Sequence, residues 1–195
     1  SEGGASPDKA APVATSCEIA EVTEDKILKS WLETQVTQGR LVIYPIQHKE
    51  SLLGITLAGD AGKTCYIPLD VTVDKGSQND LFGDNSASEH PTPSGLTLKT
   101  LQEALQSYVT DSSVLIIGHD LKAVMRLLAT DMAAYDDIQV MSYVLNGTTH
   151  KHLVHDMAER EAGVALTQPW AEKEPQPEQF AEAACPHAFA IQRLH

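Results

Sequence analysis

The sequence predicts an α/β domain in which a mixed sheet is covered by helices. Three observations carry this. Strand-like segments cluster between residues 41 and 69. A lone apolar run, Val114 to Ile117, lies among segments of helical period. Helical segments precede the strands, frame the lone run and fill the C-terminal half. A block of strands followed by a single strand framed by helices packs as one helix-covered sheet.

The first helix follows Thr23, an expected N-cap, with Glu24 and Asp25 suited to the positive end of the helix dipole. Ile27, Leu28, Trp31, Leu32 and Val36 recur at helical spacing, and Gly39 stops the pattern. Strands are expected at Leu41 to Tyr44, Leu52 to Ala58 and Thr64 to Leu69. Pro45 to Glu50 and Gly59-Asp60-Ala61-Gly62 supply the turns, so the three form an antiparallel meander. Gly59 to Gly62 with Lys63 lies between strands, so it reads as a hairpin turn and not as a phosphate loop. Asp70 to Gly95 is rich in Asp, Gly, Ser and Pro and is expected to be a mobile loop.

Beyond the loop, Leu98 to Val109 places Leu98, Leu101, Leu105, Tyr108 and Val109 on one helical face. Val114 to Ile117 reads as a buried strand, and Gly118 turns the chain into a helix over Leu121 to Ala129. Asp136-Asp137 opens a helix over Ile138 to Leu145, where negative charge is favourable. Another helix covers Leu153 to Glu161 and ends at Gly163. Gln168 to Pro177 is a Pro- and Glu-rich loop, and a last helical stretch covers Glu178 to His195. There are no internal repeats.

The chain has 195 residues, enough for one domain, and residues 1–20 read as a linker rich in Ala, Gly, Pro and Ser. No run of about 18 apolar residues and no signal peptide is visible, so no membrane partner is expected. Cys17, Cys65 and Cys185 are odd in number and widely spaced. They read as reduced thiols of a cytoplasmic protein, and a monomer is expected. The net charge is −13, with 14 Lys and Arg against 27 Asp and Glu. Tight gripping of nucleic-acid phosphates normally needs a basic patch, so DNA is expected to bind only weakly.

The order of segments resembles a known family. Val22-Thr23-Glu24-Asp25 opening a helix is followed by strands ending in Gly54-Ile55-Thr56-Leu57-Ala58 and Tyr66-Ile67-Pro68-Leu69. Val114 to Lys122 looks like the motif VLKIGQNLKYD, Asp137 to Leu145 like DTMLMSYVL, and His155 to Arg160 like MDELAER. Residues 21–195 therefore resemble the proofreading 3′–5′ exonuclease domain of bacterial family A DNA polymerases, the DNA polymerase I type. The resemblance implies a ribonuclease H-like fold, a five-stranded mixed sheet with helices on both faces. It also implies 5′ nuclease and polymerase domains covalently linked to it.

The resemblance further implies a cleft that holds two Mg²⁺ or Mn²⁺ on four carboxylates, with a Tyr orienting the water. Hard cations of this kind need carboxylate oxygens. Carried over residue by residue, the DxE motif falls on Pro45 and Gln47, and the Asp of NLKYD falls on Val124. The YxxxD motif falls on Ala183 and His187. Proline, glutamine, valine and histidine cannot replace the charge, so neither a bound metal nor catalysis is expected. Pro45 is expected to end or bend its strand, and Pro186 to sit inside the last helix. His119 and Asp120 are possible residual cleft residues, with Asp120 expected to cap a helix.

Other candidates read more plainly as structural. His150, His152 and His155 lack a fourth donor for a tetrahedral zinc set. Cys185 beside His187 lacks an orienting third group. The expected function is a catalytically inactive exonuclease domain acting as a structural module. Its rivals are a non-cleaving nucleic-acid-binding module and an active nuclease using displaced carboxylates such as Asp120, Asp156 or Glu182. On charge alone, single-stranded DNA should bind well above micromolar dissociation constants at physiological salt, where non-specific binders reach only about 10⁻⁴–10⁻⁶ M. A salt-sensitive, sub-micromolar isotherm for a single-stranded oligonucleotide would overturn this.

Overall fold

The computed structural model describes residues 19–60, 62–70 and 95–195. The expected linker up to residue 18, Cys17 with it, and residues 71–94 of the expected mobile loop lie outside the described residues. Described elements, in chain order, are β1 (Ile19–Glu21), α1 (Asp25–Gln35), β2 (Arg40–His48), β3 (Ser51–Ala58), β4 (Thr64–Pro68) and α2 (Leu98–Val109). They continue with β5 (Leu115–Gly118), α3 (Leu121–Leu128), β6 (Tyr135–Asp137), α4 (Ile138–Asn146), α5 (Val154–Ala162) and α6 (Phe180–Leu194).

The sheet has six strands in the order β1-β4-β3-β2-β5-β6, one more than the expected five. The meander β2-β3-β4 is antiparallel as the turns demanded, while β1–β4, β2–β5 and β5–β6 are parallel. The two outer strands have three residues each. Ile19 and Ala20, placed in the linker by composition, pair instead with Thr64 and Cys65. After β4 the chain bonds to the residues before α2: Asp70 N–H donates to Leu96 O at 2.9 Å, and Leu96 N–H to Pro68 O at 2.9 Å.

Alternation along each strand sends side chains to two layers. Leu41, Ile43, Ile55, Leu57, Ile67 and Ile116 meet Leu28 and Leu32 of α1, Leu101 and Leu105 of α2, and Leu121 and Leu128 of α3. On the other face, Val42, Ala58 and Ile117 meet Ile138, Val154, Met157, Ala188 and Ile191 of α4, α5 and α6. Helices therefore cover both faces, as expected.

Four local expectations need correction. The N-cap of α1 is Glu24, not Thr23, and it makes no side-chain capping hydrogen bond. That helix ends at Gln35, and Gly39, at φ 73°, instead leads into β2. The loop at Gln168 to Pro177 holds single 3-10 turns at Pro169–Ala171 and Pro177–Gln179. Pro45 does not end its strand. β2 pairs through it to His48, and the ladder slips once, between Ile46 and Gln47. The parallel partner β5 stops at Ile43, so Pro45 has a strand neighbour on one side only, where a missing N–H is tolerated. Pro186 does lie inside α6, which runs through it to Leu194.

One carboxylate links the two parallel crossings. Asp137 caps α4 by accepting Gln139 N–H at 2.9 Å. It also accepts Leu121 N–H at 2.8 Å and Asp120 N–H at 3.2 Å from the turn opening α3. Asp137→Ala is expected to lower stability by about 1–3 kcal/mol, because three backbone donors lose a charged acceptor. Asp137→Asn should retain part of this. Equal urea midpoints for both variants would contradict it.

Candidate functional site

A cleft of about 330 Å³ opens where β2 outruns β5. Tyr44, Pro45 and Gln47 of β2 form one wall. His119, Asp120 and Ala123, from the β5–α3 turn and α3, form the second. Gln139 of α4, Leu153, and Gln168, Trp170 and Ala171 around the first 3-10 turn close it. The backbone fits tightly at its floor. A Cβ on Gly118 would lie 2.9 Å from Ile43 O and 2.4 Å from the Leu121 side chain, so only glycine fits there. Asp120 then takes a left-handed conformation, φ 51°, and its carboxylate caps α3 by accepting Ala123 N–H at 3.3 Å. The capping role expected of Asp120 is thus observed.

The positions carried over from the family divide into two groups. Pro45 and Gln47 do line the cleft. Val124 does not. It is 1 % exposed and belongs to the core under α1 to α3, while its neighbour Ala123 reaches the cleft. His187 lies behind the cleft wall with 0 % exposure. Its ring stacks on Tyr44, with centroids 5.0 Å apart and planes 14° apart, and Trp170 meets it edge-on at 5.0 Å. Ala183, at the position of the water-orienting Tyr, faces a separate groove with Glu182, Thr167 and Pro169.

His187 is unusual chemically. Its Nδ1–H donates to Ala183 O at 2.9 Å, so the neutral ring keeps a bare Nε2, which is buried and has no hydrogen-bond partner. Burial pushes its pKa down to about 4, partly opposed by the bond to Ala183 and reinforced by nearby His155. Burial likewise pushes the Tyr44 hydroxyl up. His119, His152 and His155 serve as hydrogen-bonding side chains. His119 Nε2–H donates to His152 O at 2.6 Å. His152 spans Ser142 Oγ at 2.9 Å and Gly147 O at 2.8 Å, and Gln168 Nε2–H donates to His155 Nδ1 at 3.1 Å. Cys185 is buried in an apolar cluster with Trp170 and Phe180.

The donor set does not fit two divalent ions. Among the described residues, Asp120 is the one carboxylate on the cleft wall. Asp156 sits on α5 beside His155, at 3.6 Å, and Glu182 faces the other groove. Among the described residues no group of three or more His, Cys, Asp or Glu side chains could hold a metal ion. Sequence reasoning missed Tyr44, Gln139, Gln168 and Trp170 as cleft residues. A single large aromatic after Pro169 in an otherwise polar loop was the available signal for Trp170.

No protein-family profile and no curated protein matches the sequence. Solved structures do. The POL domain of Pol1 from M. smegmatis, in complex with DNA primer-template and dNTP, superposes with a TM-score of 0.59 at 18 % identity. It covers 90 % of this chain and 26 % of that one. RNase D of Trypanosoma brucei, in complex with RNA U12, gives 0.64 at 13 % identity, covering 92 % and 61 %. Escherichia coli RNase D, an exoribonuclease, gives 0.62 at 16 % identity, covering 91 % and 43 %. The chain has the 3′–5′ exonuclease fold. That fold is ribonuclease H-like, and the chain spans about a quarter to three fifths of these three neighbours' lengths.

Within this exonuclease fold, His187 makes stability depend on pH. Its pKa is depressed to about 4 when folded, against 6.5 when free. The unfolded chain therefore binds a proton first as pH falls. The stabilisation is full above 6.5 and is lost on going down towards 4, up to about 3 kcal/mol. Urea unfolding of the wild type relative to His187→Phe should show this loss over that window. Parallel pH dependence in the two proteins would contradict it.

Proposed function

We propose that this chain is a non-catalytic 3′–5′ exonuclease domain, a structural module of a bacterial DNA polymerase I. One observation carries the reading: the cleft wall offers amides, an imidazole, a proline and aromatic rings where phosphodiester hydrolysis would need clustered carboxylates. Its one carboxylate among the described residues, Asp120, already accepts the Ala123 N–H. Two family positions are not even on the wall. A carboxylate at 124 would enter the apolar core, and one at 187 would enter the aromatic box of Tyr44 and Trp170.

The partners in this reading are 5′ nuclease and polymerase domains on the same polypeptide, in the cytoplasm. The exposed face of α4 supports a packing partner. Val144 and Leu145 are 76 % and 81 % exposed, and Val140 and Tyr143 lie open beside them. Contiguous apolar surface of this kind marks an interaction site. No described helix is long and apolar enough to cross a membrane.

The test is a labelled-primer assay with magnesium and with manganese, free of contaminating nuclease. No 3′→5′ shortening of single-stranded or mismatched DNA is expected. Pro45→Asp, Gln47→Glu, Val124→Asp and His187→Asp, each alone, should not restore it, since a misplacement of about 1 Å already costs about a hundredfold. Metal-dependent shortening by the unmodified chain would overturn the reading. Robust activity from any single replacement would overturn the argument from displaced positions.

A further inference from the structure

α4 carries no charged residue and is apolar on more than one side. Ile138 and Ser142 are buried against the domain. Val140, Tyr143, Val144 and Leu145 stand exposed. Helices that are apolar around most of their circumference are normally covered around it, and this one is covered on one side only. Next to its exposed stripe lies a groove of about 330 Å³ between α4, α5 and the end of α6. Met141 and Leu145 of α4, Met157 of α5 and Leu194 of α6 give that groove an apolar lining. Helical spacing puts Val140 and Val144 on one stripe and Met141 and Leu145 on the next, so projection and recess lie side by side.

The groove also holds one cation and one anion. Arg193 of α6 is exposed and makes no hydrogen bond or ion pair with any described residue. Glu161 of α5 lines the same groove, and its carboxylate meets only its sequence neighbour, Arg160, at 2.8 Å. A two-fold interface brings one patch against itself. Such a patch needs a projection and a recess, and charges of both signs. This one has all four: Val144 matches a copy's groove, and Arg193 matches a copy's Glu161, twice per pair. Elsewhere two copies at net charge −13 repel each other, and a helix without charge adds nothing to that repulsion.

We propose that the α4 face docks a second copy of this chain about a two-fold axis, with Val144 seated in the opposite groove and Arg193 facing the opposite Glu161. This goes beyond the non-catalytic reading and does not rest on it. It departs from the monomer expected of the sequence. A linked domain packed on the same face and a second copy exclude each other.

Sedimentation equilibrium of the 195-residue chain is the test. It should show a concentration-dependent dimer with a dissociation constant of about 1–100 μM. Val144→Asp and Leu145→Asp should each weaken that dimer at least about tenfold, because each buries an unpaired charge in the contact. Both positions are exposed in the single chain, so far-UV circular dichroism should not change. Arg193→Glu and Glu161→Arg, each alone, set like charges against each other twice and should weaken the dimer about fivefold or more. Mixed in equal amounts, these two charge reversals should pair with each other as tightly as the unmodified chain pairs with itself. The double reversal should do the same. A chain that stays monomeric up to about 1 mM overturns the proposal. A dimer unaffected by Val144→Asp and Leu145→Asp overturns it too, as do charge-reversed variants that fail to pair when mixed.

Discussion

β2 has two neighbours of unequal length, and the architecture of the cleft depends on that inequality. Its parallel ladder with β5 ends at Ile43 and Gly118, while its antiparallel ladder with β3 continues to His48. Past that point one edge of β2 has no strand partner among the described residues. The free edge admits Pro45, and the slip at Ile46/Gln47 redirects the strand. The chain leaving β5 must turn away at once. Gly118 allows the close approach, Asp120 takes the left-handed turn, and Asp137 holds that turn from the next strand. The crevice lies at the carboxyl ends of parallel strands, where open α/β sheets commonly place their sites.

What fills the back of the crevice explains its altered chemistry. Tyr44, Trp170, Phe180 and His187 form an aromatic wall joined by stacked and edge-on contacts. Small residues on α6, among them Ala183, Ala184 and Ala188, let the helix approach closely enough to seat His187 against β2. In such a low-dielectric setting an ionised carboxylate is costly unless a cation accompanies it, whereas a neutral imidazole costs far less. Apolar packing at Val124 and aromatic packing at His187 are therefore consistent with each other: both replace charge with contact.

Much of this was legible in the residues, and the failures have local causes. α2 matches its expected bounds because Thr97 caps it, accepting Thr100 N–H, and its apolar period is clean. α5 ends where Gly163 takes φ 66°. The meander followed from two turn signals. β1 and β6 could not be read, since three residues carry no period and their partners lie far away, Ile19 with Thr64 and Tyr135 with Ile116. At the site, alignment placed Pro45 and Gln47 on the wall. It could not say that Trp170 and Gln168 return to the cleft, because that depends on how distant segments pack.

The covering helix α6 has a consequence for how the domain is made. It contacts β1, β2, β3, β4 and β5, and it supplies Ala188 and Ile191 to the core on its face of the sheet. These residues lie far downstream of the β2-β3-β4 meander. During synthesis from the N-terminus, the β2-β3-β4 meander can form early, but one of its faces stays bare until residues 180–194 emerge. Pairings that wait on distant sequence slow folding and leave apolar strands open to association meanwhile. Nascent chains halted before residue 180 should therefore be the aggregation-prone species, because that face of the sheet is covered only once α6 arrives.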